Sequence, residues 1–561
     1  MLNETAEVLG GVNMLLFGWL DYSFFIGMLV LSTLIGIYFG FWGKKEDTPD
    51  EYLLGGKSMS TLPVAVSLVA SLVSGITVMG DPPEIYTYGP LYWVGVFAAP
   101  FVAILDNYLY LPVFYELQVT SVFEYLEKRF NRKLRIMASV LGTVGTLLYV
   151  PIVMYVPALA LSQVTGVNLH FITPIISIIC IFYTMLGGIK AVVWTDFLQG
   201  VTMVLASVVV IILGLVHIGG FSNYDNSPRS STSVFDRMNV LSVVIGGLSG
   251  WLGMLSVNQA MVQRFLSLPT YRKAQKNISV LPKNICYIMR ILALIIPRID
   301  QLLAYYVMDI AEAIPGLPGL FVAGIFSAAL STMSSCLNSL GATLFEDFVR
   351  PCLNVKVSDK VASNIIKIIV IIIGAVCVVM VFLVDKIGGI LQLAMSTNGV
   401  ASGATFGLFT YGMFYPRGEP KGALVGSIVS LVFMSCVVFG AQKSLADGSL
   451  VYPKLPTSIE GCPFNVTLAE AIVTQEQKPL PFVLFRVTFL YYTVMGAVIM
   501  FVVAAIVSAF CAPPSEDKQD PKLFSPVIRK YLKNSKKYEM QEMHRKSDYI
   551  IAPTEEKQEF S

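Results

Sequence analysis

Apolar runs of roughly bilayer-crossing length, divided by polar connections, make up most of the chain. A crossing helix needs about 20 predominantly apolar residues. Thirteen stretches meet or approach that requirement: 22–42, 62–80, 90–115, 134–162, 170–188, 191–218, 238–263, 284–305, 318–346, 362–384, 388–413, 421–441 and 482–510. Basic residues fall between them in alternation. Lys44, Lys45 and Lys57 follow the first run, and Lys128, Arg129, Arg132, Lys133 and Arg135 follow the third. Lys190, then Arg264, Arg272, Lys273 and Lys276, then Arg350, Lys356 and Lys360, then Arg417 and Lys421 keep the same phase. Connections rich in Lys and Arg stay cytoplasmic. The pattern predicts an outside N-terminus (1–21), a membrane domain over 22–511, an outside loop over 442–481 and a basic cytoplasmic tail over 512–561.

Three runs break the apolar pattern. In 63–83, PVAVSLVASLVSGITVMGDPP, the small and polar residues Ser67, Ser71, Ser74, Gly75, Thr77 and Gly80 interrupt the span. In 242–258, SVVIGGLSGWLGMLSVN, glycines do the same. Five runs separate the two starts. An odd number of crossings inverts the second unit, so the spacing is that of an inverted repeat, about 62–218 and about 238–413. Glycine-interrupted spans at corresponding places in two halves point to a binding site at the midplane; the other reading is glycines that only let helices pack. The third run is 321–347, where Ser327, Ser331, Thr332, Ser334, Ser335 and Ser339 crowd little more than three turns. A sodium ion takes neutral oxygens, and Ser331, Thr332 and the Ala328 carbonyl one turn earlier offer a set. The bland alternative for each hydroxyl is a bond back to its own helix four residues earlier.

Composition supports the membrane reading. Of 561 residues, 55% are hydrophobic and 14% charged, with mean hydropathy +0.69, against roughly 25% charged in soluble domains. The net charge of +2 comes from short blocks and suggests no nucleic-acid partner; the lipid bilayer is the surrounding phase. The eight cysteines are scattered and give no disulfide framework. MLNETAEVLGG lacks a basic n-region, so no cleaved signal peptide is expected. Asn465-Val466-Thr467, in the outside loop, is a glycosylation sequon.

Charges inside spans are functional candidates by default. Asp196, near Lys190, is either a coupling residue or an interfacial helix cap. Asp106, deeper in its span, is either a pathway residue or a buried, partnered carboxyl. Three histidines leave little for acid–base or metal chemistry, so no enzyme is expected.

The motifs DEYLLGGKSM, FEYLEKRFNR, YTMLGGIKAVVWTDFLQG, NQAMVQRFLSLP, IPGLPGLFVAGIFSAALSTMSSCLNSL, GLFTYGMFYP and DPKLFSPVI resemble the sodium/solute symporter family, in particular its monocarboxylate and multivitamin branch. The resemblance implies an all-α polytopic fold, a LeuT-type inverted five-plus-five-helix core with flanking helices. It implies a sodium site from backbone at Ala70, Val73 and Ala328 with the hydroxyls of Ser331 and Thr332. It also implies a solute pocket touched by Leu72, Thr77 and Asn258, with sodium as coupling ion and no other cofactor.

Two departures stand out. Where the family reads PSE-x-YRFG this chain has PPEIYTYG, and the eighth run is shorter than in relatives. ICYIMRILALIIPRID holds about 13 apolar-dominated positions around Arg290, below the roughly 17 a crossing requires. The reading that follows is a plasma-membrane symporter importing a small organic solute, a monocarboxylate, by alternating access. The alternatives are biotin, pantothenate or iodide as substrate and, in another class, a sodium-gated sensor or an inactive splice form.

Overall fold

The computed structural model describes residues 17–43, 48–217, 235–279, 307, 314–353, 357–384, 390–454, 479–511 and 520–532. Among these residues the chain is helical, with no strand. The first half contains α1 (Trp19–Trp42), α2 (Thr61–Leu72), α3 (Gly75–Tyr88), α4 (Val94–Leu117), α5 (Arg132–Thr165) and α6 (Leu169–His217). The second contains α7 (Gly247–Ser256), α8 (Gln259–Leu266), α9 (Leu317–Leu344), α10 (Asp359–Val384) and α11 (Ile390–Phe414). Outside this frame lie α12 (Pro420–Ala446) and α13 (Tyr492–Ala509). Eight described helices are long and apolar enough to cross a bilayer, or nine if Pro49–Lys57 and α2, bent by 112°, form one span. The eighth predicted run, 284–305, lies outside the described residues, as do Asn465 and most of the tail.

α6 is two predicted runs in one helix. Its 49 residues would extend about 70 Å at 1.5 Å per residue, against about 30 Å of hydrocarbon. The turn comes at Gly188, with φ 56° and ψ −150°, a combination that an L side chain rarely adopts. A Cβ there would also lie 2.6 Å from the Tyr52 carbonyl oxygen. Breaking the helix strands carbonyls in the turn before it. The Tyr52 hydroxyl donates to two of them, Thr184 O at 3.1 Å and Met185 O at 3.2 Å. Lys190, just past the turn, pairs with Glu51. The DEYLL segment thus staples the corner between the two runs.

α9 is the central helix. In its most apolar window 89% of residues are buried, against 33% for α1 and 28% for α13. It packs against α6, α5, α1 and α10. Small residues make this crowding feasible, because without bulky side chains helix backbones approach closely. At Gly324 an added Cβ would meet Ala206 Cβ at 2.9 Å. At the start of α9, Asp21 of α1 accepts the Gly319 amide at 2.8 Å, satisfying one of the donors a helix N-terminus leaves open.

Candidate functional site

Both glycine-marked runs are broken, and each break has a defined place. In the first, the amide ladder of α2 ends with Val73 N–H donating to Val69 O at 3.0 Å. Val73 and Ser74 are extended, with ψ 95° and 167°. The ladder resumes with Val78 N–H to Ser74 O, and the Ser74 hydroxyl caps α3 by accepting the Thr77 amide at 3.3 Å. Ala70 and Val73 therefore sit where the ladder is interrupted. In the second run the break is at Val257–Asn258, the C-terminal edge of the predicted interruption. Asn258 Oδ1 accepts the Ala260 amide at 2.9 Å, which caps α8 and leaves the Nδ2 protons pointing elsewhere. The glycines before it leave room: nothing lies within 4 Å of a Cβ built at Gly247 or Gly250.

A cavity of about 410 Å³ occupies the space between the two breaks. Leu72, Val73 and Thr77 line it from the first break, Asn258 from the second and Thr332 from α9. The three residues implied for the solute pocket and two of those implied for sodium thus share one cavity. Its remaining walls are largely apolar, from Phe123, Trp251, Met254 and Leu340. Asp81 also lines it, and among the described residues no Lys or Arg does.

The six hydroxyls of α9 separate by what they touch. Ser334 and Ser335 donate back to Ser331 O, at 3.0 and 2.6 Å, and Ser339 to Cys336 O at 2.9 Å. Thr332 donates to Ala328 O at 3.0 Å while facing the Ser71 carbonyl of the first break at 3.5 Å. Ser331 Oγ crosses to Ser71 Oγ at 3.3 Å. Ser327 Oγ is buried with no partner. The hydroxyls and carbonyls of Ser331, Thr332, Ala328 and Ser71 form a neutral, hard oxygen set of the kind a sodium ion takes. Val73 of the first break lines the same cavity as Thr332, and Ala70 lies one residue before Ser71.

Under this set lies a buried ion pair that the sequence reading did not foresee. Charge alternation placed Arg264 in a cytoplasmic connection. It is instead on α8 with its side chain 2% exposed, and its Nη2 reaches Asp196 Oδ2 on α6 at 2.9 Å. Lys190, the nearer cation in sequence, pairs with Glu51. The guanidinium also donates from Nε to Ser67 Oγ at 2.7 Å, from Nη2 to Ser71 Oγ at 2.9 Å and to Ser335, and from Nη1 to Ala260 O at 2.8 Å. Asp196 accepts from Ser67 Oγ at 2.6 Å and from Ser334 Oγ at 3.4 Å. A buried charge pair is tolerable only when its remaining donors and lone pairs are satisfied, and here they are. Asp196 is fully buried, which removes the interfacial-cap alternative. Ser334 and Ser335, which stand outside the sodium set that the resemblance implied, belong to this network as well as to their own helix. The one available signal was physical: an intramembrane aspartate needs a cation, yet its supplier lies 68 residues away.

The profile of the Sodium:solute symporter family matches residues 52–430. The chain belongs to that family. Sodium-coupled monocarboxylate transporter 2 of Mus musculus is 36% identical over 550 residues, covering 92% of this chain and 88% of the relative. Sodium-coupled monocarboxylate transporter 1 of Homo sapiens is 35% identical, covering 87% and 86%. A Drosophila melanogaster protein provisionally named a sodium-dependent multivitamin transporter is 34% identical, covering 86% and 85%. Among solved structures, a Na+-coupled sialic acid symporter in its outward-open state matches with TM-score 0.72 over 89% of this chain and 98% of that one, at 23% identity. The fold is therefore the LeuT-type arrangement of sodium symporters, as the resemblance implied. This symporter is a multi-span membrane protein and not an enzyme, with sodium as its coupling ion.

Proposed function

We propose that this symporter imports a small monocarboxylate across the plasma membrane with sodium, by alternating access, with its N-terminus outside and C-terminus in the cytoplasm. One observation carries the reading: the neutral oxygen set at the first break and the mostly apolar cavity adjoin each other, with Thr332 common to both. The N-termini of α3 and α8 both begin at the breaks, and helix N-termini attract anions. With no basic side chain on the described walls, a carboxylate would rely on those N-termini and on the neighbouring sodium ion. An apolar body of the solute would face Leu72, Trp251, Met254 and Leu340. Sodium bound by Ala70, Val73, Ala328, Ser331 and Thr332 would tie α2 to α9, and solute held by Leu72, Thr77 and Asn258 would close on the same joint. Sodium and solute would then raise each other's affinity by one factor. Asp196, held by Arg264 beneath the set, would couple loading of the site to the positions of α6 and α8.

The names of the relatives favour a monocarboxylate first and a vitamin second. The test is uptake of labelled lactate, nicotinate, biotin, pantothenate and iodide by expressing cells, with choline replacing sodium in parallel. Saturable, sodium-dependent accumulation of lactate or nicotinate is the expected outcome. Accumulation of biotin or pantothenate alone moves the assignment to vitamins. Sodium currents without flux of any solute would point to a sensor.

A further inference from the structure

Asp106 lies near the middle of α4, twelve residues from Val94 and eleven from Leu117. Its side chain is fully buried, and among the described residues the Ser256 hydroxyl is all that its carboxyl oxygens can hydrogen-bond. Asp106 opens a π-turn, Asp106–Tyr110, an irregularity found often at functional sites. Packed against that turn is the end of α7, where the buried Ser256 hydroxyl stands within reach of the Asp106 carboxyl and has no other partner among the described residues. Ser256 is the last residue of α7 and directly precedes the break at Val257–Asn258 that lines the cavity.

An ionised carboxylate at this depth needs a counter-charge or several donors, and the described residues around it supply neither. α7 and residues 98–105 carry no titratable side chain. Residues 111–117 bring Tyr115 and Glu116; the latter pairs with Arg529 of the C-terminal segment at 2.8 Å. Tyr108 and Tyr110 lie in the turn itself, the first exposed and the second with its hydroxyl engaged with Thr410 at 3.0 Å. The Tyr271 hydroxyl donates to Asn107 O at 3.3 Å, and Arg272, Lys273 and Lys276 of the same helix are exposed.

We propose that Asp106 is a proton site governed by the second helix break: a neutral acid in the conformation described, which gives up its proton when the break rearranges. In that step the carboxyl O–H bond breaks and the proton passes to water in the cavity lined by Val257 and Asn258, leaving the carboxylate. Protonation and the state of the break are then linked reciprocally, and external pH sets how readily the cycle turns. The proposal rests on the alternating-access reading.

Two measurements test it on the full chain. The first needs no transport: infrared difference spectra of purified protein between acidic and alkaline buffer, for the parent, Asp106→Asn and Ser256→Ala. The expected result is a protonated-carboxyl band that titrates in the parent, is missing in Asp106→Asn and shifts its midpoint in Ser256→Ala. Identical parent and Asp106→Asn spectra would overturn the proposal. The second is sodium-driven uptake of labelled lactate against pH, normalised to surface expression. A several-fold pH dependence in the parent that becomes flat in Asp106→Asn supports proton exchange. An unchanged pH profile means a static proton and sinks it; an unchanged profile with a raised sodium half-saturation instead makes Asp106 a sodium ligand. Absent lactate uptake in the parent overturns the monocarboxylate reading, while the spectra still decide whether Asp106 exchanges a proton.

Discussion

Asp196 and Asp106 are both fully buried aspartates within apolar helices, and their surroundings are opposite. Asp196 is held by a guanidinium at 2.9 Å and by hydroxyls from α2 and α9. Asp106 has, among the described residues, only the Ser256 hydroxyl beside it. The difference follows from what each helix packs against. α6 meets the hydroxyl-rich faces of α2 and α9 and, through α8, a single arginine. The α4 turn meets the end of α7, which offers one serine. Burial alone therefore does not assign a role to an intramembrane carboxyl. Where the partners are complete the charge can be held permanently; where they are missing the charge must be neutralised.

The largest predicted effect breaks the satisfied side. Arg264→Ala leaves Asp196 buried beside hydroxyls but without its cation. Removing one partner of a buried pair costs about 3–5 kcal/mol. Detergent-solubilised protein should lose much of its folded, monodisperse fraction and surface delivery should fall. Replacing both charges, Asp196→Asn with Arg264→Gln, should recover a substantial part of that loss. Equal losses in single and double variants would mean that Arg264 acts through packing and not through the charge of Asp196.

The intermediate effect concerns the oxygens above the pair. Ser331→Ala and Thr332→Ala each remove a contact comparable to a hydrogen bond with a charged group, about 1.5 kcal/mol, or about tenfold in sodium half-saturation. Melting should move little, because Ser71 keeps Ser335 at 2.8 Å and the arginine at 2.9 Å. Ser327→Ala is the control, since its hydroxyl has no partner to lose. Wild-type sodium dependence in either site variant would return that hydroxyl to helix packing.

The same contrast shows what was legible in the sequence. Helix runs, the interrupted spans and the corner between 188 and 191 were readable because apolar length and glycine placement are local properties. Ser331 and Thr332 stand out in α9 by helical phase together with the family resemblance, because composition alone leaves all six hydroxyls alike. The Asp196–Arg264 pair could not be read, because it joins α6 to α8 and charge alternation filed Arg264 with loop residues. That rule counts charges near span ends and has no means of recognising an arginine just beyond a break. Pattern gave the second break to within one turn but not its residue, since glycine marks space as readily as kinks. At Asp106 the open alternatives were a pathway residue or a partnered carboxyl. Among the described residues no charged partner stands beside it, which argues against the second.

The smallest predicted effect sharpens the comparison most. Asp106→Asn is nearly isosteric with a protonated aspartate and its amide can keep the contact with Ser256, so its melting in detergent should stay within about 0.5 kcal/mol of the parent, the range of substitutions that disturb no specific interaction. Asp196→Asn removes the charge that Arg264 faces, strands a buried guanidinium and should cost several times more, by the reasoning applied to Arg264→Ala. The two substitutions are chemically identical, sit at equal burial and differ only in what surrounds the carboxyl. A clear destabilisation by Asp106→Asn would reveal an ionised group held by a counter-charge, and the contrast between the two aspartates would collapse. A near-neutral result shows that the carboxyl at the centre of the span is kept as an acid, and the pH profile of uptake then decides whether its proton is used.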